Sequence, residues 1–158
     1  MTLRYASMRP ADLDDVVALE NTVYSHPWTR GNFADALHAG NSAWVVREEG
    51  MLQGYCVLMM APDDAHLLNI SVAAHAQGKG VGRGLLEWVD AQTRAHGLPS
   101  VLLEVRVSNV RALHIYEVAG YQRIGMRRNY YPAHVGREDA IVMRKILRTE
   151  PAVRASHG

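Results

Sequence analysis

The sequence predicts one mixed α/β domain whose strands pair partly in parallel. Short apolar runs alternate with amphipathic stretches in the order β-α-α-β-β-β-α-β-α-β-β. Two of the helical stretches follow one strand and lead into another, an arrangement that lets neighbouring strands run parallel. The length of 158 residues suits a single domain. We expect residues 1–147 to form it and residues 148–158 to be a flexible tail.

A strand over residues 3–8 is predicted to precede two helices. Asp12 is the expected N-cap of the first helix and Thr29 that of the second, because short polar side chains accept hydrogen bonds from the free N–H groups of a first turn. Trp28 and Phe33 lie on either side of Thr29 at the spacing of a hydrophobic staple. These local signals predict two successive helices before the next strand.

Three strands are predicted after the helices. The runs Ala43 to Arg47 and Met51 to Met60 flank Glu48-Glu49-Gly50, which indicates a hairpin. A further strand is expected from His66 to Val72, after a turn.

The second half of the chain predicts two more helices. Val81, Leu85 and Val89 recur every four residues, which predicts a helix that runs to about His96. Asn109 is the expected N-cap of the next helix. The remaining predicted strands cover residues 101–105, 121–127 and 140–146, the last two joined by a polar loop.

Composition excludes several classes of protein. Hydrophobic residues make up 48% of the chain and charged residues 21%, as in globular proteins. The single cysteine, Cys56, excludes an intrachain disulfide framework, and the eight histidines lack metal-site spacing, so no metal is expected. The longest uncharged apolar run, residues 55–61, is too short to cross a membrane. With no secretory signal visible at the N-terminus, we expect a cytoplasmic protein without a membrane partner.

The net charge of +1 argues against a protein that binds nucleic acid directly. Its distribution is uneven, because residues 1–50 carry four basic and seven acidic side chains and residues 101–158 carry ten and five. The two ends of the chain could face ligands of opposite charge, or the charges could be scattered over a solvated surface.

A glycine-rich turn, Gly78 to Gly84, is predicted between a strand and a helix, where free N–H groups and the helix dipole favour a phosphate. It is not a P-loop, because Gly80 stands where Ser or Thr is needed after Lys79. It is not a dinucleotide fingerprint either, because Arg83 and Leu85 occupy the required third glycine in the two possible registers. A flexible turn without a ligand remains the alternative.

Two motifs resemble the acetyl-CoA signature of the GCN5-related N-acetyltransferases, the GNAT superfamily. The first is Asn69-Ile70-Ser71-Val72, and the second, five residues later, is Gln77-Gly78-Lys79-Gly80-Val81-Gly82. The resemblance implies that acetyl-CoA is the co-substrate and that its pyrophosphate lies at the glycine-rich turn. The residues that it assigns to acetyl-CoA are Ile70, Ser71, Val72, Gln77, Gly78, Lys79, Gly80, Val81, Gly82 and Asn109.

Further motifs resemble one group within this superfamily, the ribosomal-protein-alanine N-acetyltransferases (the RimI type). The resemblance covers about residues 3–147. It implies the GNAT fold, a mixed central sheet flanked by about four helices, in which the strands that hold Val72 and Glu104 splay apart around acetyl-CoA. The motifs are Leu103-Glu104-Val105-Arg106, Leu113-x-x-Tyr116-Glu117-x-x-Gly120-Tyr121, Arg128-Asn129-Tyr130-Tyr131-Pro132 and Gly136-Arg137-Glu138-Asp139-Ala140.

Two residues are candidates for catalysis. Glu104 stands in an otherwise apolar strand, so its carboxylate must be paired, for example with Arg106, or face a cleft. The resemblance implies a general base toward the incoming amine, directly or through water, and partial burial would raise its pKa toward the working range. Tyr116 lies on the apolar face of its helix, where it could be a core aromatic. The resemblance implies that it donates a proton to the coenzyme A sulfur.

Three aromatic residues are candidates for contact with the acceptor. Tyr130 and Tyr131 precede Pro132 in the polar loop, and Trp28 precedes the second helix. They could pack on the core, but the resemblance favours an acceptor channel. It also implies direct transfer, within a ternary complex, to the N-terminal alanine of small-subunit ribosomal protein 18. A small amine or a lysine as acceptor, or a catalytically silent acyl-CoA-binding module, are the alternatives.

Overall fold

The computed structural model describes residues 2–147, and the predicted tail over residues 148–158 lies outside them. The predicted order of strands and helices is confirmed. The elements are β1 (Arg4–Ser7), α1 (Leu13–Val23), α2 (Arg30–His38), β2 (Ser42–Glu48), β3 (Met51–Met60), β4 (Ala65–Val72), α3 (Val81–Ala95), β5 (Ser100–Arg106), α4 (Val110–Val118), β6 (Gln122–Pro132) and β7 (Arg137–Ile146).

Seven strands form one sheet in the order β1-β2-β3-β4-β5-β7-β6, with β4 and β5 parallel and the other neighbours antiparallel. α1 and α2 pack on one face of the sheet over a core that contains Phe33 and Tyr55. α3 and α4 pack on the other face over a core that contains Leu85 and Leu103. The predicted mixed α/β architecture with four helices is confirmed. No helix within the described part of the chain has the length and apolar composition needed to cross a membrane.

β4 and β5 diverge after a short paired segment. They pair from Ala65–Val101 to Leu67–Leu103, although both strands continue beyond that point. The register between β3 and β4 shifts at the same place and leaves Leu68 as a bulge. Because a bulge bends a strand and increases its twist, the end of β4 turns away from β5. The predicted splay of the two strands is confirmed, and it opens a gap in the sheet.

The signals at the start of α2 act as predicted. The Thr29 hydroxyl accepts a hydrogen bond from the backbone N–H of Asn32 at 3.1 Å, and the Asn32 side chain accepts from the backbone N–H of Thr29 at 2.9 Å. The rings of Trp28 and Phe33 pack with centroids 5.1 Å apart. This staple fixes the direction from which the chain enters α2.

The predicted role of Asp12 as the side-chain cap of α1 is wrong. A short 3-10 turn that begins at Pro10 precedes the helix, so α1 starts at Leu13 without a side-chain cap. The Asp12 carboxylate instead accepts from the backbone N–H of Arg9 at 2.8 Å and from Arg47 of β2 at 2.9 Å. Asp12 therefore caps the turn before the helix and ties it to the sheet.

The last two strands are longer than the sequence predicts. The expected polar loop between residues 127 and 140 is mostly strand, because β6 runs to Pro132 and β7 begins at Arg137. A bulge over residues 128–130 interrupts the pairing. Within it Asn129 adopts a φ of +53°, and its N–H donates to Asp139 Oδ1 at 2.8 Å. Because β6 is an exposed edge strand, no apolar alternation marks its extension beyond residue 127 in the sequence.

Candidate active site

A cavity of about 270 Å³ occupies the gap between β4 and β5. Its walls come from these two strands, α1, the loop before α2, α4 and the end of β6. A more open cavity of about 560 Å³ lies beside β1 and α2, away from the predicted site residues. The predicted site residues that line the smaller cavity are Trp28, Ile70, Glu104, Asn109, Tyr116 and Tyr131.

The glycine-rich turn lies at the N-terminus of α3, as predicted. Gly80 is the N-cap residue with a φ of +85°, and Gly78 has a φ of +76°, so both adopt the left-handed conformation that glycine favours. No side chain caps α3, which leaves the N–H groups of its first turn available to an anion. Gln77 joins the turn to the end of β4 by donating to the Val72 carbonyl at 3.3 Å.

The remaining residues assigned to acetyl-CoA lie beside these features. Ser71 is buried and Val72 is half-buried at the end of β4, directly after Ile70. Lys79, Val81 and Gly82 belong to the turn or to the first residues of α3. The Asn109 side chain accepts from the backbone N–H of Ala112 at 3.2 Å, which confirms its predicted role as the N-cap of α4.

The Glu104 carboxylate is held at both oxygens. His66 Nε2 of β4 lies 2.6 Å from Oε1, and Arg127 of β6 donates from Nε to Oε2 at 2.8 Å. The expected partner Arg106 does not take part, because it pairs with Glu138 at 3.0 Å. Glu104 is therefore both paired and exposed to the cleft.

The environment of Glu104 reverses the predicted direction of its pKa. The hydrogen bond from His66 is the largest influence and, together with Arg127, holds the pKa of the Glu104 carboxyl below its usual value. Burial acts in the opposite direction but is outweighed. The expectation that burial raises the pKa of Glu104 is wrong, because it did not include these two donors.

Tyr116 lines the same cavity from α4. Its ring packs edge-on against Tyr121, with the centroids 5.7 Å apart. Burial raises the pKa of Tyr116 well above its ordinary value, so the phenol is protonated at neutral pH. The residue is thus a core aromatic whose protonated phenol lines the cavity, and its role as proton donor to the coenzyme A sulfur stays a prediction.

Glu20 of α1 organises the predicted acceptor side of the cavity. This carboxylate is buried and accepts three hydrogen bonds. The donors are the Tyr55 hydroxyl at 2.5 Å, Asn69 Nδ2 at 3.1 Å and the backbone N–H of Trp28 at 2.9 Å. One side chain therefore joins α1 to β3, to β4 and to the loop before α2.

Tyr24 closes the same wall at the end of α1. Its hydroxyl donates to the carbonyl oxygen of Ile70 at 2.5 Å. Burial raises the pKa of Tyr24, so the hydroxyl keeps the proton that this hydrogen bond needs. The contact links the predicted acceptor side of the cavity to the strand predicted to hold acetyl-CoA.

The two neighbouring tyrosines of β6 pack edge-on, with ring centroids 4.9 Å apart, but they differ in their relation to the cavity. Tyr131 lines the cavity, and the guanidinium of Arg106 lies 4.5 Å from its ring centroid. Arg106 also donates to the Pro132 carbonyl at 2.7 Å, which fixes the end of the strand. Tyr130 lies outside the cavity wall, 43% exposed, with Arg127 5.6 Å from its ring centroid. Its contact with the acceptor stays a prediction, as a residue of the rim.

Sequence reasoning did not identify several residues of this site. Glu20 had a detectable signal, because it falls seven positions after Leu13 and four after Val16, on the apolar stripe of its helix. His66 and Arg127 had none, since both reach Glu104 from other strands.

The sequence profile described as "Acetyltransferase (GNAT) family" matches residues 13–121. The chain belongs to this family. The predicted family resemblance and the predicted GNAT fold are both confirmed. The crystal structure of the ribosomal-protein-S18-alanine N-acetyltransferase from Escherichia coli has 31% sequence identity, and it superposes with a TM-score of 0.86 over 94% of this chain and 96% of that one.

Curated relatives of this GNAT family member agree with the narrower resemblance. The [Ribosomal protein bS18]-alanine N-acetyltransferase of Escherichia coli K12 is 33% identical over 138 residues, which cover 87% of this chain and 93% of the relative. The enzyme of the same name from Salmonella typhimurium is 32% identical over 132 residues, which cover 84% and 89%. The similarity therefore extends over nearly the whole of these relatives.

Proposed function

We propose that this GNAT family member transfers the acetyl group of acetyl-CoA to the α-amino group of the N-terminal alanine of ribosomal protein bS18. The observation that carries the proposal is that a carboxylate, Glu104, and a protonated phenol, Tyr116, line one cavity between two splayed strands. The bacterial relatives that carry this name support the choice of acceptor.

The residues around the gap suit acetyl-CoA. The N–H groups at the start of α3 would hold the pyrophosphate, and Gly78 and Gly80 leave the approach free of side chains. The edge of β4 that faces the gap would pair with the amide groups of the pantetheine arm through Ile70 and its neighbours. Bound acetyl-CoA supplies the activated thioester. Asn109 lines the cavity at the start of α4, in reach of the same molecule.

Two proton transfers accompany the proposed reaction. The acceptor nitrogen forms a bond to the acetyl carbonyl carbon, and the bond from that carbon to sulfur breaks. Glu104 takes the proton that the nitrogen loses, directly or through water, and Tyr116 donates a proton to the leaving sulfur. Solvent restores both groups afterwards, so no covalent enzyme intermediate is needed.

The lowered pKa of Glu104 favours an α-amino group over a lysine side chain as the acceptor. An α-amino group has a pKa of ~7.7–8.0 and lysine ~10.4, so deprotonating lysine costs about 3.5 kcal/mol more. A carboxylate whose pKa lies below its usual value is a weak base. It is therefore better suited to an amine that is partly neutral at the working pH.

On the acceptor side, Trp28 and Tyr131 would contact the first residues of the peptide, and Tyr130 would contact residues farther along at the rim. The hydrogen bond between Glu20 and the Trp28 backbone supports this assignment, because it gives the loop a defined position. An arrangement of aromatic side chains around a narrow cleft suits an extended peptide.

A peptide competition assay tests the proposal. The first substrate is a peptide that begins with the N-terminal residues of bS18. The second is a peptide of the same sequence with an acetylated N-terminus and internal lysines. The third is a small-molecule amine. We expect acetylation of the first peptide alone, detected by mass spectrometry, and its loss in the Tyr116→Phe variant. Equal rates on the blocked peptide would overturn the proposal.

A further inference from the structure

His66 stands where β4 and β5 still pair, and Glu104 stands just beyond the last pair. His66 is opposite Leu102 in the parallel register, so Glu104 is two residues farther along β5 and on the same face of the sheet. The imidazole reaches forward across this offset to place Nε2 2.6 Å from Glu104 Oε1. The side chains of His66 and Glu104 are 21% and 9% exposed, so little solvent reaches the contact.

A second donor reaches the carboxylate from the opposite side. Arg127 lies on β6 and crosses β7 to reach Glu104 Oε2 at 2.8 Å. Its pairing partner on β7 is Ala140, whose small side chain is fully buried. The Arg127 side chain is 56% exposed, so solvent screens this contact more than the contact with His66.

We propose that His66 is a positioning residue, which donates a hydrogen bond from Nε2 to Glu104 and keeps that carboxylate ionised and aimed at the incoming amine. The inference rests on the proposed function, in which Glu104 is the base. An ionised carboxylate only accepts hydrogen bonds. The short contact therefore assigns the proton to the ring nitrogen and the donor role to His66.

His66 and Arg127 together also restrict the orientation of the Glu104 carboxylate. With Oε1 held from β4 and Oε2 held from β6, the carboxylate cannot rotate about its terminal bond without losing a hydrogen bond. Each oxygen keeps a second lone pair for the proton that the amine loses. Positioning of this kind matters because a base must lie within hydrogen-bond distance of the proton that it takes.

Several other charged or titratable groups surround Glu104. Arg106 is two residues along the same strand, but Glu138 pairs with it. The hydrogen bond from His66 lowers the pKa of Glu104 more than Arg127 does. Removing the imidazole should therefore raise the pKa of Glu104 more than replacing Arg127 would. The groups that line the same cavity are Glu20, Tyr24, His26, Tyr116 and Tyr131.

Three variants of the full chain distinguish a His66 that acts as a hydrogen-bond donor from a His66 whose ring only fills space. His66→Leu removes the donor, and His66→Gln returns an N–H at about the position of Nε2. His66→Asn is polar like glutamine but too short to reach. The pH profile of kcat/KM is measured for each variant with the peptide that begins with the N-terminal residues of bS18 and with saturating acetyl-CoA. The affinity for acetyl-CoA serves as the check that the site is folded.

We expect the acid limb of the profile to move upward by roughly one pH unit in His66→Leu and His66→Asn, a shift of ordinary size for a changed environment. Plateau activity should fall in both by part of the ~10²–10⁴-fold that a placed base contributes. His66→Gln should recover most of the rate and the profile. An unchanged profile in His66→Leu, or in His66→Asn if the leucine variant does not fold, would overturn the proposal. So would a glutamine variant as impaired as the asparagine variant.

The Glu104→Gln variant keeps this test separate from that of the proposed function. If Glu104→Gln is inactive while the His66 variants behave like the native protein, the base is supported and the role of His66 is refuted. If Glu104→Gln retains native activity, the proposed base fails and the role of His66 fails with it. In the Glu104→Gln background, His66→Leu should cause little further loss, because the group it positions is gone.

Discussion

The carboxylate of Glu20 accepts the backbone N–H of Trp28 at 2.9 Å, across eight residues of chain. This hydrogen bond connects the buried end of α1 to the loop that borders the cavity. Because Glu20 Oε1 at the same time accepts from Tyr55 and Asn69, we expect a change at this one position to affect both the core and the proposed acceptor side.

Glu20→Gln should lower stability and weaken acceptor binding. A glutamine has one acceptor oxygen and one amide group, so at least one of the present donors would face another donor. An unsatisfied buried donor costs ~1–3 kcal/mol. We expect the free energy of unfolding, measured in urea, to fall by this amount and the KM for the peptide to rise. Asp35→Asn on the exposed side of α2 is the control, and an equal loss of stability there would contradict the role of Glu20.

Tyr116→Phe should reduce turnover by ~10²–10⁴-fold while leaving acetyl-CoA affinity nearly unchanged, because it removes the proposed proton donor and little packing. Tyr121→Phe is a matched control. Tyr121 packs against Tyr116, and its buried hydroxyl has no hydrogen-bond partner among the described residues. Its removal should leave turnover unchanged. Similar kinetics for the two variants, measured by thiol release, would argue against Tyr116 as the acid.

Gly80→Asp should weaken acetyl-CoA binding at least tenfold, because it places a negative charge where the phosphates are expected, a penalty above ~1.4 kcal/mol. Gly80 has a φ of +85°, so the replacement also strains the backbone. Gly40→Asp controls for that strain, because Gly40 has a φ of +82° at the end of α2. Isothermal titration calorimetry measures the affinity of each folded variant for acetyl-CoA. Equal affinities of Gly80→Asp and Gly40→Asp would refute the phosphate site.

Acidification should destabilise the protein partly through Glu104. The pKa of its carboxyl is lowered in the folded state from a value of 4.5. Its stabilising contribution is therefore present above about pH 4.5 and is lost as the pH falls through the folded-state pKa. We expect the free energy of unfolding of Glu104→Gln to depend less on pH below 4.5 than that of the native protein. Unfolding free energies measured in urea across pH 3–6 test this. An equal dependence on pH in the two proteins would contradict the contribution of Glu104.

Features that depend on neighbours in the chain could be predicted from the sequence. Thr29 caps α2, Trp28 packs on Phe33 across that cap, and Asn109 caps α4 as expected. These contacts span five residues or fewer, so the local order of side chains determines them. The glycine-rich turn before α3 belongs to the same class, because its left-handed residues are glycines.

Other features depended on the tertiary structure. The short sequence from Arg128 to Tyr131 does not reveal the bulge in β6, because that bulge is defined by cross-strand pairing with β7. It also does not reveal that Tyr131, and not Tyr130, lines the cavity. The environment of Glu104 is the clearest case. Its donors lie 38 residues earlier, at His66, and 23 residues later, at Arg127. The apolar strand around Glu104 predicted a raised pKa, and the two donors from other strands lower it instead, since hydrogen bonds to an ionised carboxylate outweigh its partial burial.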